Sequence, residues 1–216
     1  MQVILANLSL CLAWIAWCTL HSFLVSRRVT AFLRRRGGIW LGGARLFYIS
    51  FSLLSLLPLL WYQYQLPQQV LFRYQGPWRL LQALLLLYAL IMFYGGKKVY
   101  DMDYFLGVKQ WRVYRAGVQA SQEIPFRCSG ILRHVRHPWY SGGLALLWAA
   151  GPITDVNLIS RTTLSLYLLI GTMLEERKLE EELGRPYIEY CRQVPMLLPW
   201  KAGIDGNTAE KGKEKK

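Results

Sequence analysis

The sequence predicts an all-α fold: an integral-membrane helical bundle of about five transmembrane helices with a cytoplasmic cofactor pocket. Three observations lead there. Several apolar runs are long enough to cross a bilayer. The chain of 216 residues is 53% hydrophobic and 14% aromatic and yet carries a formal net charge of +13. Soluble globules seldom combine those properties, whereas membrane proteins do so when Lys and Arg occupy the cytoplasmic loops. Finally, the basic residues fall between the apolar runs instead of along one face, which argues against a nucleic-acid partner.

The runs can be taken in order. Residues 3–25 are almost free of charge and exceed 20 residues, the length of one crossing. No basic segment precedes them and no small-residue cleavage site follows, so a retained helix is expected, not a signal peptide. A second span covers about 44–64, where Pro58 is tolerable because a membrane helix absorbs a kink. A third covers about 78–96. After a polar stretch, two shorter apolar segments at 138–152 and about 156–174 read as a helical hairpin, turned by Gly151-Pro152 with Asp155 and Asn157. Its first arm is barely long enough to span.

Loop charges set an orientation. Six arginines lie at about 26–45, only Arg73 lies at about 65–78, and eight Lys or Arg lie at about 97–136. The first and third loops should face the cytoplasm, most simply at a cell inner membrane, with the N-terminus outside and the C-terminus inside. None of the four cysteines forms a CxxC pair, and no disulfide is expected. The organisation is then a three-helix membrane region (1–96), a catalytic half (97–202) and a polar tail (203–216) whose composition predicts disorder.

The stretch Arg133-His134-Val135-Arg136-His137-Pro138-Trp139-Tyr140-Ser141-Gly142-Gly143 needs a specific explanation. Pro138 suits the first turn of a helix, where its missing N–H costs nothing. The open N–H groups of that turn, flanked by Arg133, His134, Arg136 and His137, make an anion site. Gly142 and Gly143 allow a helix or a ligand to approach closely. A positive-inside anchor explains the arginines alone, but it does not require the histidines, the proline start and the glycine pair together. A metal site is not expected, because no third ligand has sensible spacing to His134 and His137.

The second constellation is residues 171–200. Helical spacing puts Gly171, Glu175, Leu179 and Leu183 on one row, so Glu175 shares a face with apolar residues at the membrane edge. A carboxylate there is costly unless partnered. Glu180, Glu181 and Glu182 read as a solvated face with i,i+4 pairs to Arg177 and Lys178. Glu176 is intermediate, a supporting group or a solvated one. The helix should stop at Gly184, and Pro186 should open a short helix carrying Tyr187 and Tyr190. A basic helix start, a half-buried carboxylate and several aromatics match S-adenosylmethionine. Its carboxylate wants N–H donors, its cationic groups or ribose diol want a carboxylate, and its adenine and sulfonium favour aromatic surfaces.

The pair RHPWYSGG and EERKLEEELGRPYIEYCRQVPMLLP resembles the paired signature of the integral-membrane isoprenylcysteine carboxyl methyltransferase and phospholipid N-methyltransferase superfamily, over about 130–200. WCTLHSFLVSRRV and DMDYFLGVKQW resemble, more loosely, its NnrU-type and methanethiol S-methyltransferase branch. The resemblance implies cofactor contacts from His137, Pro138, Trp139, Tyr140 and Glu175, with Ile124, Pro125, Phe126, Arg127 and Leu132 lining the same pocket. In the carboxyl methyltransferases an arginine one turn before the glutamate touches the prenylcysteine. Here that position is Gly171, which favours a smaller or uncharged acceptor. On the looser match, His21, Ser22, Asp103 and Gln110 are further pocket candidates.

The expected function is therefore methyl transfer from S-adenosylmethionine to a small or lipid-soluble thiol. The catalytic candidates are Arg136, His134 and Glu176. A thiol reacts as its thiolate, so nearby basic groups would lower its pKa or a histidine would take its proton. The alternatives are a prenylcysteine carboxylate or amine lipid headgroup as acceptor, or a non-enzymatic NnrU-like membrane protein of nitrogen-oxide metabolism, holding haem through His21 and His134 or His137. The expected partners are the lipid bilayer and the methyl acceptor.

Overall fold

The computed structural model describes residues 2–117, 128–201 and 203. Three helices are long and apolar enough to cross a membrane: α1 (Gln2–Val25), α3 (Trp40–Gln65) and α4 (Trp78–Val99). Each rises about 1.5 Å per residue and so exceeds the roughly 30 Å hydrocarbon thickness. They mark a membrane protein. Pro58 lies inside α3 without ending it. Between α1 and α3 the arginine-rich segment, which charge alone reads as a loop, forms α2 (Arg27–Arg36), started by Ser26 Oγ accepting the Val29 N–H.

The remaining elements are β1 (Val70–Phe72), α5 (Met102–Leu106), α6 (Val108–Arg115), a 3-10 turn (Gly130–Arg133), α7 (Pro138–Ala149), β2 (Ile153–Thr154), α8 (Asp155–Leu183) and α9 (Arg185–Gln193). The polar stretch after α4 thus holds two short helices that its charge pattern hides. At 12 residues α7 is only about 18 Å long, short of a crossing by itself. The turn before α8 is a reciprocal cap. Thr154 Oγ1 accepts the Asn157 N–H at 3.1 Å, and Asn157 Oδ1 accepts the Thr154 N–H at 2.9 Å. Gly184 takes φ +65° where α8 stops, a left-handed value that favours glycine. The tail beyond Gly203 lies outside the described residues.

The chain forms two compact units. The first comprises Met1–Leu71, Asp101–Glu123 and Ile153–Leu164. Its core is Leu10, Trp14, Leu59 and Val156. Side-chain hydrogen bonds tie α1 to α3: Trp14 Nε1 donates to Gln63 Oε1 at 3.0 Å and Trp17 Nε1 to Ser55 Oγ at 3.1 Å. In hydrocarbon such bonds satisfy donors that no water can reach.

The second unit comprises Phe72–Tyr100, Ile124–Pro152 and Ser165–Lys216. Its centre is the close pairing of α4 with α7. Small residues bring the backbones together: a Cβ on Gly142 would sit 3.0 Å from Met92 Cβ and 3.2 Å from the Ala89 carbonyl, and a Cβ on Gly96 would collide with the Trp139 indole. The glycine pair thus divides. Gly142 admits a helix, while Gly143 meets only Leu168, at 3.9 Å. Trp139 Nε1 donates to the Phe93 carbonyl at 3.2 Å, which fixes the indole beside Gly96. A rigid ring cannot swing away as a flexible chain end would. Gly96→Ala is therefore expected to cost about 1–3 kcal/mol through overpacking, whereas Gly143→Ala should be neutral or slightly stabilising. Thermal unfolding of both variants in detergent checks this.

Candidate active site

The polar centre of the second unit grows from two local features. The first is the α7 start. His137 precedes Pro138 in the N-cap position, and no side chain caps the helix. The first-turn N–H groups of Trp139 and Tyr140 therefore lie at an uncapped helix end, as the proline start predicts. The second is α8, which carries Glu175 and Glu176 side by side, about 100° apart around its axis.

Glu176 meets the loop before α7. Arg136 Nε and Nη2 donate to its two oxygens at 2.5 and 2.8 Å, a bidentate pair. The side chains of Arg136 and Glu176 are only 9% and 14% exposed. His137 Nε2 lies 3.2 Å from Glu176 Oε1. A carboxylate only accepts, so this nitrogen carries the proton. The third guanidinium nitrogen, Nη1, donates to the carbonyl of Cys191 at 2.9 Å and to that of Val194. Backbone bonds continue the tie: Arg136 N–H donates to the Pro195 carbonyl at 3.0 Å and His137 N–H to that of Met196 at 3.1 Å. Arg136 thus joins the α7 entry, α8 and the segment after α9. The Tyr190 hydroxyl adds a fourth tie, donating to the Leu132 carbonyl at 2.6 Å.

Burial pushes the Glu176 carboxyl up, but hydrogen bonds from His137 and Arg136, together with their charge, overcome this and hold it down at about 2. For Arg136, burial opposes the charge and Glu176 more than offsets it, raising the guanidinium's pKa. Burial raises the thiols of Cys128 and Cys191, so neither is a ready nucleophile.

Glu175 has a different setting. Its Oε2 accepts the Tyr140 hydroxyl at 2.8 Å. The Tyr140 ring stacks on His137, centroids 5.6 Å apart and planes at 21°. Trp139 packs edge-on against Tyr100 at 4.9 Å. Glu175 is half-buried, and its other oxygen has no partner among the described residues.

The structure therefore brings together Arg136, His137, Tyr140, Glu175 and Glu176. Pro138 and Trp139 adjoin them at the helix start, and Leu132 is anchored through its carbonyl. His134 stands apart. It is exposed, and its ring packs against Gly203. Ile124, Pro125, Phe126 and Arg127 lie outside the described residues. His21, Asp103 and Gln110 belong to the first unit: His21 Nε2 lies 2.8 Å from the Tyr48 hydroxyl, Asp103 binds Arg112 at 2.7 Å, and Gln110 Nε2 donates to the Tyr104 carbonyl at 3.0 Å. Ser22, in the same unit, is exposed. Among the described residues no three His, Cys, Asp or Glu side chains converge as a metal-binding group. Sequence reasoning missed Arg161, whose side chain is buried at 4% exposure within α8. The lone arginine of an otherwise uncharged run was its signal.

Fold and site together define a helical membrane protein with a basic, aromatic-walled carboxylate centre beside a glycine-packed helix pair. The chain resembles curated methanethiol S-methyltransferases. It is 29% identical over 163 residues to methanethiol S-methyltransferase 1 of Bradyrhizobium diazoefficiens, covering 73% of this chain and 55% of that protein. It is 43% identical over 74 residues to the methanethiol S-methyltransferase of Pseudomonas deceptionensis, covering 34% of this chain and 28% of the relative. With that of Mycobacterium tuberculosis it shares 38% over 78 residues, 36% of this chain and 32% of the relative. The chain thus matches about half the length of the first relative and about a third or less of the other two. No family model and no solved structure matches it.

The ion pair gives a signed expectation. The Glu176 carboxyl lies below its ordinary value of 4.5, at about 2. Its contribution, about 3 kcal/mol at 1.36 kcal/mol per pKa unit, is present above pH 4.5 and is lost as pH falls through 2. Glu176→Gln should remove that acid-side dependence. It should also cost about 3–5 kcal/mol at neutral pH, because Arg136 is left buried without its counter-charge. Unfolding midpoints of both proteins between pH 3 and 7 check it.

Proposed function

We propose that the protein is an S-adenosylmethionine-dependent methyltransferase acting on a small thiol such as methanethiol, with its site at the cytoplasmic face. The observation that carries this is the agreement between the reported relatives' names and a carboxylate held by aromatic side chains at a basic helix start. The first supports thiol methylation. The second fits the donor: the uncapped α7 start suits an anionic carboxylate, and the unfilled oxygen of Glu175 suits hydroxyl or cationic donors. His137, Tyr140 and Trp139 would supply the aromatic surfaces. When bound, the donor supplies an electrophilic methyl group on a sulfonium.

The chain's own residues then have separable roles. Tyr140 holds Glu175 in one orientation through its hydroxyl. Arg136 and Glu176 satisfy each other and act as positioning residues, fixing the α7 entry. His137 is committed to Glu176 and Tyr140. The exposed His134 stands apart from this cluster, so the reading assigns no general base and rests on positioning of the thiol. A Cβ at Gly171, one turn before Glu175, would meet nothing within 4 Å. That open space suits an acceptor with no carboxylate for an arginine to bind.

Two measurements test the reading. In cofactor titrations by calorimetry in detergent, Glu175→Gln should weaken binding by about one to two orders of magnitude, the loss of a charge-assisted hydrogen bond. Glu181→Gln, on the exposed face, should change it by well under tenfold. Equal losses would mean that the acidic run acts as a diffuse field and that Glu175 is not a placed contact. A C-terminal reporter fusion should be active in the cytoplasm, and activity only outside would overturn the orientation.

A further inference from the structure

The segment after α9, residues 194–200, forms neither helix nor strand. It carries Pro195 and Pro199, which supply no N–H and cannot continue a helix. Four of its carbonyls in a row nevertheless accept hydrogen bonds from distant parts of the second unit. That of Val194 takes the Arg136 guanidinium, that of Pro195 the Arg136 N–H, and that of Met196 the His137 N–H. The fourth, that of Leu197, takes the hydroxyl of Tyr88 at 3.2 Å. Tyr88 lies in the middle of α4, well inside a helix long enough to cross the membrane.

The same hydroxyl lies 2.5 Å from Ser141 Oγ. A tyrosine has one hydroxyl proton, and a carbonyl can only accept. With that proton on the Leu197 carbonyl, the Ser141 hydroxyl donates to Tyr88. The bonds then run from Ser141 through Tyr88 to Leu197, a chain in which each polarises the next. Ser141 is buried. Its N–H donates to the His137 carbonyl at 3.0 Å, in the first turn of α7. Tyr88 thus holds the α7 entry from two sides. Through Ser141 it holds the helix, one residue beyond the Tyr140 that fixes Glu175. Through Leu197 it holds the segment whose carbonyls fix Arg136 and His137.

We propose that Tyr88 is a positioning residue for the donor site: its hydroxyl sets the register between the α7 entry and residues 194–197, and with it the alignment of His137, Tyr140 and Glu175. Its effect on donor binding rests on the methyltransferase proposal, whereas its hold on the α7 entry does not. Gln82 provides a reference on the same helix pair. Its Nε2 donates to the Ala149 carbonyl at 2.9 Å. That bond also joins α4 to α7, but about 9 Å along α4 from Tyr88.

Tyr88→Phe keeps the ring and removes only the hydroxyl. Ser141 can then turn its proton to the His137 carbonyl four residues back, but the Leu197 carbonyl has lost its donor. Two readouts on the full chain in detergent test the proposal. Hydrogen exchange followed by mass spectrometry should show the Arg136 and His137 amides exchanging about five- to tenfold faster in Tyr88→Phe, the scale of one hydrogen bond. Calorimetric titration should show S-adenosylmethionine bound more weakly by a similar factor. Gln82→Leu should lower the unfolding midpoint about as much as Tyr88→Phe does, yet leave both readouts within about twofold of the unsubstituted protein. Unchanged exchange in Tyr88→Phe would overturn the proposal whether or not the chain transfers methyl groups. Faster exchange with unchanged donor affinity would also overturn it, by reducing the hydroxyl to a packing contact. Equal effects from Gln82→Leu would do the same, by making general loosening of the helix pair the cause. An unsubstituted protein that bound no S-adenosylmethionine would overturn the methyltransferase proposal itself, and the role at a donor site with it, whatever the exchange rates.

Discussion

The buried pair between Arg136 and Glu176 is the constraint on which the second unit depends. Two charges removed from water must satisfy each other, and here each uses its full geometry to do so. The guanidinium grips both carboxylate oxygens and spends its remaining edge on the carbonyls of Cys191 and Val194. Three segments distant in sequence are thereby fixed: the loop entering α7, the later part of α8, and the chain leaving α9. Replacing such a pair with apolar residues is often neutral for stability, so its value lies in where it puts other groups. With residue 136 anchored, His137 must sit in the N-cap position of α7 and Tyr140 must stack on it. That places the Tyr140 hydroxyl on Glu175.

This division gives the two adjacent carboxylates opposite characters. Glu176 is saturated and strongly acidic, a group that holds structure. Glu175 has one oxygen with no partner among the described residues, beside aromatic rings and an uncapped helix end. A binding site for a molecule bearing both an anionic and a cationic end needs such a contrast. The close packing of Gly96 and Gly142 keeps Trp139 and Ser141 at fixed depth against α4, so the helix start has little freedom to drift.

Much of this was legible in the sequence. The three long apolar helices, the Pro138 start of α7, the stop at Gly184 and the half-buried setting of Glu175 all follow from local rules of length, proline chemistry and helical spacing. What stayed hidden was set by distant partners. Glu176 looked ambiguous because its partner, Arg136, is 40 residues away and lies in a loop, outside any helical pattern. The partners of Arg136 were hidden as well, because the carbonyls it binds, those of Cys191 and Val194, lie more than 50 residues further along. The helix α2 was read as a loop because its arginines mask a face visible only once Ser26 is known to cap it. Even a correct reading of spacing can divide: Gly142 admits a helix while its neighbour Gly143 faces almost nothing. Residues 128–201 were also easier to read than the long apolar helices, since apolar helices carry few residues whose chemistry singles them out.

The proposed role of the carboxylate centre of the second unit is methyl transfer to a small thiol. The most direct measurement is transfer of an isotopically labelled methyl group from S-adenosylmethionine to methanethiol by the purified protein in lipid nanodiscs, with volatile product followed by mass spectrometry. Labelled dimethyl sulfide should accumulate over many turnovers. Donor binding with no labelled dimethyl sulfide, and labelled product from a prenylcysteine or an amine headgroup instead, would contradict it.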